Sequence, residues 1–196
     1  MQKQSHRKIP ESAKCVFKGV LFQVWQWEQK QFDDSFKTFE MVKREDCVTI
    51  LGITKDKKII VNLEEQPHRG SFISIPGGVA NSDEELLDSA KRELLEETGY
   101  ESENWEVWFV SDVLQSHKIE WWNHFYIARD CEKTSDVHFD PGEKIETKFF
   151  DFEEFLKITQ DESFRNREIS KIIKEILNSQ NIEEEKQKFK KFLLGE

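Results

Sequence analysis

Arg92, Glu93, Glu96 and Glu97 fall within six consecutive positions, between the pair Gly77-Gly78 and a further glycine, Gly99. Residues three and four apart share a helical face, so on a helix the three glutamates project together. Clustered carboxylates repel one another and cost stability unless a cation sits among them. Oxygen donors of this kind suit a hard divalent ion, Mg²⁺ or alternatively Mn²⁺, which also bridges to substrate phosphates. The competing reading is a solvated helix with an ordinary Arg-Glu surface pair, the commoner state of a glutamate-rich helix.

A helix under these residues has its own support. Ser82 followed by Glu85 reads as a capping box, with Asp83 and Glu84 favourable in the first turn. Leu86, Leu87, Ala90, Leu94 and Leu95 supply an apolar side spaced for burial. Gly99 can take the left-handed conformation that closes a helix. A rigid element therefore carries the acidic cluster, as a metal site requires.

The full spacing is G-x5-E-x7-R-E-L-x-E-E-x-G-Y, from Gly78 through Glu84, Arg92, Glu93, Leu94, Glu96, Glu97 and Gly99 to Tyr100. It resembles the signature box of the Nudix hydrolases. At average residue frequencies a chance match in such a chain is on the order of one in a million. The one departure is Tyr100, where the family usually carries an aliphatic residue.

The resemblance implies an α/β/α sandwich with a mixed sheet, and hydrolysis of a nucleoside diphosphate linked to another group. By position in the box, Glu93 and Glu97 resemble the principal metal ligands. Glu96 corresponds to a third ligand or a water-activating base, and the carbonyl of Gly77 to a further ligand. Arg92 would hold a carboxylate through its planar fork. Glu84 resembles the box-opening glutamate, with a more peripheral role. A separate base found on a later loop in some members would fall in the His138–Glu146 segment, with Glu143 first and Glu146 and Asp140 behind it; a solvated acidic loop is the equal alternative.

The substrate is read from Glu65-Gln66-Pro67-His68-Arg69, which resembles the Glu-Gln-x-Arg segment of ADP-ribose pyrophosphatases and nucleotide-sugar hydrolases. Gln66 and Arg69 are the substrate-binding candidates, Arg69 because its fork matches a diphosphate. Two features depart from that branch. Ser74 stands where it usually carries a glutamate, and Leu114-Gln115-Ser116-His117 replaces a stretch that commonly holds a proline. Trp25, Trp27, Trp121 and Trp122 are candidates for stacking a nucleobase, with core packing favoured for any one of them. Other family readings are hydrolysis of an oxidised nucleoside triphosphate or a dinucleoside polyphosphate. A reading of another class is a catalytically silent nucleotide sensor.

Across all 196 residues the formal net charge is −10, which disfavours nucleic-acid backbones and anionic membranes as partners. It does not disfavour a phosphorylated small molecule, because a bound metal reverses the local sign. Cys15, Cys47 and Cys131 form no metal-type pair, and no apolar span reaches signal-peptide or transmembrane length. The expectation is a cytoplasmic protein.

Strands are expected near Lys14–Trp27, Phe36–Lys43, Cys47–Ile53, Lys58–Leu63, Phe72–Ile75, Trp105–Val110, Ile119–Ala128 and Lys148–Phe150. Ile169, Ile172, Ile173, Ile176 and Leu177 mark one late amphipathic helix, and Ile182, Phe189, Phe192 and Leu193 another. The organisation read from this is an N-terminal strand extension (1–45), a Nudix-type domain (46–160) and C-terminal helices (161–196) packed on the same domain. The resemblance also allows the N-terminal strands to pair across a two-fold axis in a homodimer.

Overall fold

The computed structural model describes residues 8–114, 116–138, 142 and 144–196. Three antiparallel strands come first: β1 (Lys14–Lys18), β2 (Phe22–Lys30) and β3 (Phe36–Arg44). Then follow β4 (Cys47–Thr54), β5 (Ile59–Gln66), β6 (Gly70–Ser74), β7 (Gly77–Val79) and the helix α1 (Leu86–Thr98). After it come β8 (Tyr100–Glu101), β9 (Asn104–Asp112), β10 (Ile119–Glu120), β11 (Trp122–Lys133) and β12 (Lys144–Phe150). The helices α2 (Phe152–Ile158), α3 (Arg167–Leu177) and α4 (Ile182–Leu194) complete it.

Side-chain alternation explains the layers. Strand residues point to opposite faces in turn, so a strand covered on both sides reads as an apolar run. From β4, β5 and β11, Val48, Ile50, Ile60, Tyr126 and Ala128 pack with Ala90 and Leu94 of α1. Their neighbours Leu51, Ile53, Ile59, Val61, Phe125 and Ile127 pack with Phe152, Phe155, Ile169, Ile173, Phe189 and Leu193 of the three C-terminal helices. One sheet thus lies between α1 on one face and α2, α3 and α4 on the other, the expected α/β/α sandwich. Its order is β12-β5-β4-β11-β8, with β6 on β5, β7 on β4 and β9 on β11. The sheet is mixed, because β11 runs parallel to β4 while β5, β7 and β9 pair antiparallel.

The second sheet, β1-β2-β3-β10, shows where pattern alone misleads. The run Ile119–Ala128 reads as one strand, but it breaks at Trp121. Ile119 and Glu120 pair with Val42 and Lys43 of β3, whereas Trp122 onward pairs with β4 and β9. The buried Glu120 carboxylate helps fix this switch by accepting the backbone N–H groups of Lys8 at 2.6 Å and Ile9 at 2.9 Å.

Two further expectations change at helix starts. The Ser82–Glu85 capping box is not formed; α1 begins at Leu86 with Glu85 at its cap position and no side-chain cap bond. Ser82 sits one turn too early, in a turn closed by Glu84 N–H to the Asn81 carbonyl at 3.2 Å. The helix α2 was not anticipated, although its start carries the same kind of device: Glu154 accepts the Asp151 N–H at 2.9 Å.

Arg129 ties the last helix to the sheet. It is 7% exposed and donates from Nε to the Leu193 carbonyl and from Nη2 to the Phe192 carbonyl, each at 2.8 Å. Its Nη2 also meets Glu106 at 2.7 Å. These carbonyls belong to the group that a helix end leaves unsatisfied. Arg129→Ala is expected to lower the unfolding free energy by about 2–3 kcal/mol, as losing charged hydrogen bonds at a buried site does. Urea denaturation followed by circular dichroism checks this; an unchanged midpoint would remove the cap from the account.

Candidate active site

The turn into the box is built against the edge of β4. Ile50 donates its N–H to the Pro76 carbonyl at 2.8 Å, and Thr49 and Val48 lie opposite Gly77 and Gly78. Gly77 has a φ of 155°, and a Cβ there would stand 2.3 Å from the Val48 carbonyl oxygen. Only glycine lets the backbone approach so closely. At Gly78 a Cβ would stand 2.5 Å from the carboxylate carbon of Glu93, so that carboxylate rests on the bare Cα of the turn.

Arg92 organises the exposed side of the cluster. Its Nη1 donates to Glu93 Oε1 and to Glu96 Oε2, each at 2.9 Å. Its Nε lies 3.3 Å from Glu84 Oε2, which also accepts the Ser89 hydroxyl at 2.8 Å and the Asn81 amide at 3.1 Å. Partial burial disfavours the charged guanidinium, but Glu93 and Glu96 outweigh it and hold the Arg92 pKa above its ordinary value. The Ser89 hydroxyl, with Arg92 adding to it against some desolvation, holds the Glu84 carboxyl below its ordinary range.

Glu97 faces inward. It is 6% exposed, and its Oε2 accepts the Asn62 amide at 2.9 Å and the Gly77 N–H at 3.1 Å. One carboxylate therefore joins helix, turn and β5. Asn62 and Glu64 share the α1 face of β5 with Ile60, by strand alternation. Both are buried, and Glu64 accepts the hydroxyl of Ser74. Ser74, the position that departs from the ADP-ribose branch, is thus beside a carboxylate supplied by the neighbouring strand. Asn62 and Glu64 lie outside the box motif. Their signal in the sequence is a pair of polar residues at period two on one face of a strand that starts as an apolar run, and such groups are rarely buried without hydrogen-bond partners.

Gln66 ends β5 and Arg69 stands before β6, the turn closing through Arg69 N–H to the Gln66 carbonyl at 3.0 Å. Arg69 is exposed, with its guanidinium 4.8 Å from the centroid of the Phe72 ring. A cleft of about 490 Å³ opens here, lined among others by Glu64, Ser71, Phe72, Glu146 and Ser163. Asp140 and Glu143 lie outside the described residues. The segment before them is anchored to the box, because His138 donates its N–H to the Glu96 carbonyl at 2.9 Å. Glu146 pairs opposite Leu63, so it faces away from Asn62 and Glu64, and its carboxylate meets Lys148.

The four tryptophans have partners of their own. Trp27 packs 4.9 Å from Phe39, and the Trp25 indole reaches Gln23 at 3.0 Å, both in the N-terminal sheet. Trp121 donates to the Cys47 sulfur at 3.3 Å and stacks under Arg44 at 4.3 Å, while Lys8 lies 5.1 Å from the Trp122 ring. Burial pushes the Cys131 thiol up to about 11, which leaves it an inert core group.

The donor set of the box fits a hard divalent cation: carboxylate oxygens from one rigid helix, facing a turn whose backbone comes close. In the arrangement described, Arg92 engages Glu93 and Glu96. Among the described residues no three His, Cys, Asp or Glu groups stand ready as a cage. Among the described residues, too, no helix is long and apolar enough to cross a membrane.

The fold resembles a solved structure described as an ADP compounds hydrolase, with a TM-score of 0.64 at 18% identity, over 87% of this chain and 94% of that one. In sequence, 99 residues are 32% identical to the methanol dehydrogenase activator of Bacillus methanolicus, covering 50% of this chain and 53% of that protein. The chain thus spans about half the length of that curated relative. The model of the NUDIX domain matches residues 43–171, about two thirds of the sequence and the whole of the box. The protein belongs to the Nudix family.

Proposed function

We propose that the protein hydrolyses the diphosphate linkage of a nucleoside diphosphate joined to a second group, with ADP-ribose or a nucleotide sugar as its substrate. The observation that carries this is the Glu97 carboxylate, buried and fixed between Asn62 and the Gly77 N–H at the foot of an intact box. The Glu-Gln-x-Arg likeness at Glu65–Arg69 and the fold shared with an ADP compounds hydrolase favour a diphosphate with an adenosine end.

Glu93 and Glu97, with Glu96 and the Gly77 carbonyl, would hold Mg²⁺ or Mn²⁺. When bound, such an ion supplies charge neutralisation for the phosphates and a lowered pKa for an attacking water. Arg92 orients Glu93 and Glu96 through its fork. Arg69 and Gln66 would bind the diphosphate end. The base is Glu143 on the later loop, or Glu96 on the helix itself. The N-terminal sheet leaves Val16, Phe17, Phe22 and Phe36 exposed, which favours a homodimer formed through these strands.

A screen of nucleoside-diphosphate derivatives with Mg²⁺ tests the reading. The expected result is AMP and ribose 5-phosphate from ADP-ribose. Release of pyrophosphate from nucleoside triphosphates instead would move the protein to the triphosphate-cleansing reading. Tight binding of ADP-ribose without turnover at any metal concentration would make it a sensor.

A further inference from the structure

The connection between α2 and α3 docks onto the edge of β6 as a short extra strand. Ile73 donates its N–H to the Ser163 carbonyl at 3.0 Å, and Arg165 donates its own to the Ile73 carbonyl at 2.7 Å. Ile73 and Phe164 form a parallel bridge, and the Asn166 side chain accepts the Ile75 N–H at 3.0 Å. This seam ends two residues before Gly77.

The seam also fixes which way Arg165 points. Phe164 is fully buried in the core shared with the C-terminal helices, and Ile73 packs against that core. Successive residues of an extended segment face opposite sides. Arg165 and Phe72 therefore turn to the other face of the sheet, the face of Asn62, Glu64 and Glu97. The side chains agree: the Arg165 guanidinium lies 5.4 Å from the Phe72 ring centroid, and that of Arg69 lies 4.8 Å from the same ring. Phe72 is 6% exposed, so the two cations cover it, and Phe72 and Ser163 both line the cleft that Glu64 also lines. Among the described residues the ion pairs at this edge join Lys144 to Glu65 and Lys148 to Glu146 and do not include either guanidinium. Two like charges sharing one ring repel, and an anion with several oxygens relieves both through paired hydrogen bonds.

We propose that Arg165, delivered by this docked segment, is a substrate-binding residue that clamps the diphosphate group together with Arg69. The proposal rests on the diphosphate reading above and extends it: the C-terminal helices contribute a residue to the site as well as covering the sheet. Lysine is a partial substitute only, since it lacks the fork.

The test compares the full-length protein with Arg165→Ala, Arg165→Lys and, as a control on the same segment, Arg167→Ala. Two readouts are used: kinetics on ADP-ribose with Mg²⁺, and calorimetric binding of inorganic pyrophosphate. Arg165→Ala is expected to raise KM about tenfold or more with kcat within about threefold, and to weaken pyrophosphate binding by a similar factor. Arg165→Lys should fall between, and Arg167→Ala should match the parent in both. Thermal unfolding should not move, because the Arg165 side chain is exposed. KM and pyrophosphate affinity within about twofold of the parent in Arg165→Ala would overturn the clamp. If the parent cleaves no nucleoside-diphosphate derivative yet binds pyrophosphate through Arg165, the clamp stands and the substrate reading falls. Absence of both turnover and pyrophosphate binding overturns the two together.

Discussion

Glu97→Gln is expected to lower turnover on the order of a thousandfold while leaving the protein folded, as loss of about 4 kcal/mol of charge stabilisation in the transition state requires. Two hydrogen bonds to Glu97 fall on Oε2, from the Asn62 amide and the Gly77 N–H. A glutamine can place its carbonyl oxygen at that position and keep both. What it cannot keep is the negative charge at the foot of the box. Kinetics on the best substrate from the screen, beside a thermal melt, decide the matter. Full activity in the folded variant would sink the assignment of Glu97 as a metal ligand.

The second large effect comes from the two adjacent glycines, which should fail in different ways. Gly77→Ala puts a methyl group 2.3 Å from the Val48 carbonyl oxygen and 2.9 Å from the Thr49 Cα, at a backbone angle that side chains rarely adopt. Backbone on both sides of the collision cannot give cheaply, so a loss of about 3 kcal/mol or more is expected. Gly78→Ala meets first the carboxylate of Glu93, at 2.5–2.6 Å, which is the far end of a flexible side chain. Stability should change by less than about 1 kcal/mol, while displacement of that carboxylate lowers activity on the order of a hundredfold. Denaturation midpoints and kcat/KM on both variants check the contrast. Equal loss of stability in the two would show that the Glu93 carboxylate does not rest where it is described.

The box was legible because its chemistry is local: spacing on one helix carries Arg92, Glu93, Glu96 and Glu97 to one place regardless of the rest. The late helices were legible for a similar reason, since Ile169, Ile173, Phe189 and Leu193 repeat at helical period and reach the core. The capping box at Ser82 was a false signal, because a Ser-x-x-Glu pattern does not say which turn the helix begins on. The helix α2 was missed because seven residues give too short a window for periodicity. The rest of the site depends on partners far apart in sequence. Asn62 reaches Glu97, Ser74 reaches Glu64, and Arg165 shares Phe72 with Arg69. No spacing rule connects residues 96 positions apart; the docked seam on β6 does.

The forked pairing of β4 has a consequence for how such a protein can change. Its first half holds β7 and the Gly77-Gly78 turn, through Cys47–Thr49, while its far end meets β5 only near the hairpin turn, at the Ile53–Ile59 pair and through Thr54 N–H to the Lys58 carbonyl. The hairpin of β5 and β6, which bears Gln66, Arg69 and Phe72, is therefore braced mainly by β12 and by the Ser163–Asn166 segment. The turn and the hairpin are thus held mostly by different strands, with the Glu97 carboxylate joining the two. Substitutions along the hairpin rim are therefore expected to leave the backbone of the Gly77-Gly78 turn in place.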